Sequence, residues 1–518
     1  MESKDLFGNT TPLIQPAKGH EIKWRFVTNH QNLMFILSAG LIMPPSGFGK
    51  KYYQDTLSLV SGWIPLFPEV IWSSAIDHSI AEQSFLRPCY AELDLSNLSG
   101  HIKVFRSGSW QDASFPGDIY GDEDLILVPA PLPTSMIKEI VFSSKEDKTY
   151  CDKDAKNFFN VPLGDFKTKV ASASFKKAKS ETWPPVINNT EVRKVELTLP
   201  DSLGGVLSLL SWLSNKDETV GALTKAFFDQ NIDNSVITSF PMLAGTYEIF
   251  FSKNVNTDQH GASSVLFASI TNSLIQFRKS SEIGTPKDVI MEIIEGSNFS
   301  LEGKAKLASE RLIEDLKGIV QFPDKTITEL LETHQKPLPR SLILFFMNED
   351  MLDLLETNNI LLTGNELCGV AILHGISEGW MRVPSSLRER NGLNHVVPVY
   401  MAQLSHELSG STLKLGALPE RPRSLLDLFS EKLSDSKGNN AALYIARACK
   451  WDCIKTHVKL GKGDYQLRID GSGVCLILDG DVKTVESFVD QEKFMALLRA
   501  EPIIPVKIEN EARMMLGS

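Results

Sequence analysis

Residues able to carry chemistry stand in a few places along this chain. Carboxylates lie side by side at Asp122–Glu123–Asp124 and at Glu349–Asp350. Paired carboxylates are raw material for acid–base work, yet among 64 acidic residues such runs read as solvated surface. His374 sits in GVAILHGISEG, on a mostly apolar helix, and a lone histidine there reads as a hydrogen-bonded packing residue. Trp380 and Arg382 follow it, and Trp and Arg are the commonest interface anchors, so a partner-binding role is the competing reading. Cys449 and Cys453 are four apart on one helical face, but a metal site needs two more ligands and nothing nearby repeats the spacing. They read as small apolar residues, and no metal is expected.

Known phosphate and hydrolase signatures are missing. The sequence contains no G-x-x-x-x-G-K-[ST] loop, no G-x-G-x-x-G after a strand pattern, no H-E-x-x-H and no G-x-S-x-G. A Walker-type nucleotide hydrolase is thereby disfavoured.

The elements that must position any site are easier to read. A chain of 518 residues holds two to four domains at roughly 100–200 residues each. Hydrophobic residues at 42% and charged residues at 23% match ordinary globular usage, so a core is available. A formal net charge of -11 argues against coating nucleic acid non-specifically, although it leaves room for a local basic groove. Six cysteines, Cys89, Cys151, Cys368, Cys449, Cys453 and Cys475, are too sparse for a disulfide scaffold and fit reduced thiols in the cytoplasm. Met1–Lys18 lacks the apolar stretch of a signal peptide, and no segment approaches the ~18–20 apolar residues needed to span a bilayer. No membrane role is expected.

Periodicity divides the chain into a multidomain plan. Residues 1–20 read as a tail. An α/β (α+β) domain is expected over 21–165, with strands at Ile22–Thr28, Cys89–Leu95, Ile102–Arg106, Leu125–Pro129 and Ile137–Phe142. Gln31–Ala39 has helical spacing and is closed by Gly40. Gly47, Gly49, Lys50 and Lys51 suggest an exposed basic loop. The lysine-rich stretch Lys167–Lys179, before Trp183–Pro184–Pro185, reads as part of a linker over 166–200, with a phosphate-contacting loop as the alternative. A mainly α-helical region is expected over 201–435, with Pro241, Pro286, Pro323, Pro337 and Pro339 between its helices. An α+β segment over 436–518 closes the chain, with a β-hairpin formed by Tyr465–Asp470 and Val474–Leu478.

One stretch resembles a known family. Thr28–Leu41 (TNHQNLMFILSAGL) is similar to the opening of the DNA-targeting ADP-ribosyltransferase toxins, through Thr28, Asn32, Leu33, Ile36, Leu37, Gly40 and Leu41. Trp63–Phe67 resembles that family's next core strand. Glu123–Pro129, with Pro133 and Ile137–Val141, resembles the strand carrying its catalytic glutamate. Transfer from NAD passes through an oxocarbenium-like ribose, which a nearby carboxylate stabilises. The family's first-strand histidine falls here on Asn29, with His30 one place later. Its glutamate, four residues before the strand-ending Pro129, falls on Leu125, and Glu123 shares that residue's face one step early.

Two readings follow from the resemblance. In the preferred one the domain has lost turnover and serves as a binding or scaffold module. Lys50, Lys51 and Arg25 would then contact nucleic-acid phosphates, and the helical region would dock a protein through Trp380 and Arg382. A bacterial anti-phage defence assembly is the context that the toxin resemblance implies. In the alternative it is an active transferase, with Glu123 as catalytic carboxylate, Arg25, Asn29 and His30 on NAD, and nucleic acid or protein as acceptor. A structural subunit with no ligand of its own is the third possibility.

Overall fold

The computed structural model describes residues 2–4, 10–12, 22–44, 55–81, 83, 85–156, 163–184, 187, 192–214, 218–230, 234–251, 261–280, 283–298, 302–321, 327–349, 363–388, 392–414, 423, 425–453, 457–460, 463–470, 473–478, 481–483, 489–500 and 504–517. Lys50 and Lys51 lie outside them. The chain forms two compact units. One comprises residues 1–204 with 394–420, and the other comprises 205–393 with 421–518.

Two larger sheets, one mixed and one antiparallel, carry the core of the first unit. In one, the strand order is Thr168–Val170, Ile137–Phe142, Pro88–Leu93, Trp24–Asn29, with the first pair parallel and the others antiparallel. In the other, Ser411–Leu413, Leu98–Arg106, Leu125–Pro129 and Trp63–Leu66 follow one another antiparallel. Ser109–Phe115 folds back on Leu98–Arg106 through Ser107 and Gly108, both at positive φ, as a two-residue type I′ hairpin turn demands. The sheets meet at an Arg25–Phe67 bridge with reciprocal main-chain bonds of 2.8 and 2.9 Å.

Strand alternation sorts side chains between two cores. Val27, Tyr90 and Val141 leave the first sheet on one face and meet Trp63, Leu125 and Leu127 of the second. Cys89, Ile140 and Phe142, one residue out of step, face the helix His30–Ala39 through Leu33, Met34 and Leu37. Each fully buried apolar side chain contributes roughly 1.5–3 kcal/mol, so both faces are strongly specified. The helix begins at Asn29, whose side chain accepts from Asn32 N at 2.9 Å, and ends at Gly40 with φ 73°, the left-handed cap expected from sequence.

Three expectations need correction here. The stretch read as a linker carries the Thr168–Val170 strand and the Ser172–Lys176 helix, and Ile187, Val192 and Val195 are buried in the core between the sheets. It belongs to the first unit because those apolar residues have a core to enter. Residues 394–420 also return to that unit. Ser411–Leu413 pairs with Leu98–Gly100, and Ser405 Oγ donates to the carbonyls of Ala130 at 2.7 Å and Glu196 at 2.9 Å. Pro337 and Pro339 lie within the first turn of the helix Pro337–Met347, where a missing N–H costs nothing.

The second unit is largely helical. Gly205 and Gly375 let two helices touch: a Cβ on Gly205 would stand 2.3 Å from the Gly375 carbonyl oxygen. Thr363 and Glu366 form a capping box on Gly364–Glu378, and Glu366 also takes Arg340 Nε at 2.6 Å. Residues 425–516 supply their own apolar core, including Phe429, Ala442, Ile445 and Phe494. The backbone of His457–Leu460, Gly463–Asp470, Gly473–Leu478 and Asp481–Lys483 pairs as four antiparallel strands. Two helices, Gln491–Ala500 and Val506–Leu516, follow them. No described helix is long and apolar enough to cross a membrane.

Candidate functional site

The residues singled out in the first unit sit at strand ends or on the sheet face that looks into the inter-sheet core. Asn29 ends its strand fully buried and divides its amide between two helices, His30–Ala39 and Ser73–Ile80. Its Oδ1 caps Asn32 and its Nδ2 donates to the Ser79 carbonyl at 2.8 Å. His30 is buried to 1% exposure, with Nδ1 accepting from Arg87 N at 3.0 Å. An N–H donor on Nδ1 requires the proton on Nε2, which faces Asp154 Oδ2 at 3.3 Å. The ring also meets Tyr150 edge-on at 5.3 Å. Burial pushes the His30 pKa below its ordinary value, and the pull of Asp154 only partly offsets this. Both ring nitrogens are engaged in holding the fold.

Arg25 projects from the neighbouring strand position into an ionic row across the sheet. Its Nη2 lies 3.6 Å from Glu92, which is 3.6 Å from Lys169 Nζ, and Lys169 also binds Glu139. Its guanidinium covers Tyr90 at 5.1 Å. Burial would raise the Glu139 pKa, but the hydrogen bond and charge of Lys169, with Lys167 beside it, hold that carboxyl below its usual range.

Glu123 stands one residue before Asp124 and two before the Leu125–Pro129 strand. Its side chain is fully shielded. Oε1 accepts from Arg106 Nη2 at 2.5 Å and Tyr120 N at 2.6 Å, and Oε2 accepts from Gly121 N at 2.8 Å. Arg106 in turn grips Asp122 at 2.7 Å, donates to the Asp118 carbonyl, and lies over Tyr120. The carboxylate thus ties the 118–123 loop to the Leu98–Arg106 strand. Leu125, at the position where the resemblance would put the glutamate, is 0% exposed and packs with Val27, Trp63 and Leu127. Asp124 points elsewhere, to Lys179 Nζ at 2.8 Å.

In the second unit, Trp380 is buried at 0% exposure with the Arg388 guanidinium 5.7 Å above its ring. It anchors its own unit, and Arg382 beside it is exposed. His374 matches a packing role: Nδ1 lies 3.0 Å from Glu378 and the ring lies on Phe345 at 4.6 Å. Cys453 is buried in the C-terminal core, Cys449 caps the Ser436–Ala448 helix, and no metal-ligand cluster occurs among the described residues.

Sequence reasoning missed the partners. Arg106, Glu92 and Tyr90 read as ordinary strand residues, since what makes them notable is register across strands distant in sequence. Phe175 and Trp183 lay in the stretch taken for a linker, where an aromatic residue among lysines was the available signal.

No protein-family model matches the chain, and no curated protein matches it. The chain is similar to DarT, the DNA-targeting ADP-ribosyltransferase toxin, in two solved structures. Thermus sp. 2.9 DarT in complex with carba-NAD+ is 14% identical, with 31% of this chain and 99% of that chain covered at a TM-score of 0.24. The same protein in complex with NAD+ is 13% identical over 31% and 98% of the two chains, at the same TM-score.

Proposed function

We propose that the first unit is a non-catalytic, ADP-ribosyltransferase-like binding module, and that the helical unit is its scaffold for a protein partner in a bacterial defence or nucleic-acid-associated assembly. One observation carries this reading. Glu123, the candidate carboxylate, has both oxygens occupied by three donors, while Leu125, at the place the resemblance gives the glutamate, lies within a packed core. A carboxylate stabilises a developing ribose cation only if it faces the ligand with lone pairs free. Freeing Glu123 would break all three of these hydrogen bonds at once, leaving Arg106 with Asp122 and the Asp118 carbonyl. Arg25, Asn29 and His30 are likewise committed to Glu92, Ser79 and Asp154.

Lys50 and Lys51 stand as the candidate phosphate contacts of the module. The test is incubation of the full chain with labelled NAD, with and without single- and double-stranded DNA and RNA. The expected outcome is no transferred label, together with a mobility shift of nucleic acid that a Lys50→Ala/Lys51→Ala variant loses. Label transferred by the wild type and lost in a folded Glu123→Gln variant would establish the active transferase instead.

A further inference from the structure

Beyond Val170 the chain crosses back over the edge of the inter-sheet core. The Ser172–Lys176 helix sets Phe175 on Tyr90, with ring centroids 5.5 Å apart. Trp183 lies 4.9 Å from the His78 ring, 6.2 Å from Phe67 and 6.4 Å from Trp72. Phe175 and Trp183 are only partly buried, and Lys176, Lys177 and the run Lys179–Thr182 between them are exposed.

The attachment is sparse. Ala171 N donates to the Phe142 carbonyl at 3.0 Å, and Ile187 N donates to Leu59 at 3.2 Å. Between those two ends, among the described residues, main-chain bonds to the rest of the unit occur only at Lys179. Its N–H donates to Ile71 at 2.9 Å and its carbonyl accepts from Ser73 N at 3.0 Å. The same residue's ammonium binds Asp124 at 2.8 Å and Glu181 at 3.1 Å. By contrast the Leu125–Pro129 strand beneath is 0% exposed from Leu125 to Val128 and laddered on both sides.

We propose that residues 171–184 form a displaceable strap, latched by the Lys179–Asp124 ion pair, whose opening uncovers an aromatic groove floored by Tyr90, Phe67, Trp72 and His78. Apart from Pro184 at its end, the strap packs through the half-buried Phe175, Trp183, Ala171 and Ala178 and one bridge, and such segments open at lower free energy than core strands, which open only with the domain. Aromatic floor and aromatic cover are matched in kind, so the strap is itself the groove's occupant. Opening does not depend on whether the module turns over NAD.

Hydrogen exchange of the full chain, read by mass spectrometry, tests the strap. In the wild type, strap amides including Lys179 should exchange on the order of 100-fold faster than those of Leu125–Val128. Asp124→Asn should speed the strap by a further factor of about threefold, leaving Trp24–Asn29 unchanged. Lys179→Gln, at the exposed end of the latch, should do the same and serves if the first variant folds poorly. Strap protection equal to that of the core strands overturns the proposal, as does a variant that leaves strap exchange unaltered or accelerates both regions alike.

Discussion

Arg106 and Glu123 are joined at 2.5 Å, with the glutamate's side chain fully shielded and the arginine's 17% exposed. Seventeen residues apart, they close the loop between two strands. Removing Glu123 takes the acceptor from the Tyr120 and Gly121 N–H groups and leaves Arg106 with only Asp122 and the Asp118 carbonyl, which is where the cost arises. Glu123→Ala should destabilise the first unit by about 1–3 kcal/mol. A urea titration that follows this unit's transition would show a lower midpoint with unchanged slope. An unmoved midpoint would mean the carboxylate is not structural.

Stability should depend on pH through buried histidines. His406 is fully buried, with Nε2 donating to the Pro131 carbonyl at 3.1 Å and Nδ1 against Ser411 Oγ at 2.9 Å. Burial drives its pKa down to about 4, and the Pro131 bond only partly counters it. The unfolded chain, titrating near 6.5, takes up the proton first as pH falls. The contribution is therefore full above pH 6.5 and is lost between there and about 4, amounting to about 3 kcal/mol. His30, lowered for the same reason, acts in the same direction. Denaturation midpoints at pH 7, 6, 5 and 4.5 should fall progressively, and His406→Gln should flatten part of that decline.

Two glycines with similar backbone angles should behave differently. Gly40 and Gly108 have φ of 73° and 81°. A Cβ at Gly40 would stand 2.1 Å from the Asn394 carbonyl oxygen and 2.6 Å from Pro398, whereas nothing lies within 4 Å of one at Gly108. Gly108→Ala should cost about 1 kcal/mol of left-handed strain alone. Gly40→Ala adds a backbone collision and should cost upwards of about 3 kcal/mol. Equal melting shifts for the two variants would contradict the close approach of residue 394.

A fragment of residues 22–204 should not fold properly by itself. It lacks the Ser411–Leu413 strand, the Ser405 hydroxyl on Ala130, and the His406 ring on Pro131. Joining 394–420 to it through a flexible linker should restore a cooperative transition and a monomeric elution profile. A shorter fragment that is already cooperative would show that the returning segment is dispensable.

Local signals were legible wherever one residue's own chemistry decides. Gly40 announced the end of its helix, and the apolar runs at Leu125–Pro129 and Ile137–Phe142 marked strands that the structure reproduces to the residue. Ser109–Phe115 was missed because its pattern is polar and mostly exposed, leaving only Ser107–Gly108 to betray a hairpin. Leu393–Leu408 was missed because Pro398 stands inside it, and a proline in mid-pattern argues against a helix. The role of Glu123 was beyond reach for a different reason. Whether a carboxylate is free or caged depends on Arg106, Tyr120 and Gly121 converging in space, and no spacing along the chain encodes that.

The return of residues 394–420 has a consequence in time as well as space. A ribosome that has finished residue 204 must add about 210 more before the first unit's missing strand, Ser411–Leu413, exists. At ~5–20 residues per second this takes roughly 10–40 s. Through that interval the Leu98–Gly100 edge, which Ser411–Leu413 will later occupy, is open to any passing strand. The first unit thus stays incomplete until residue 413 has been made. Its vulnerable period is set by translation speed and by whatever chaperone shields the waiting edge.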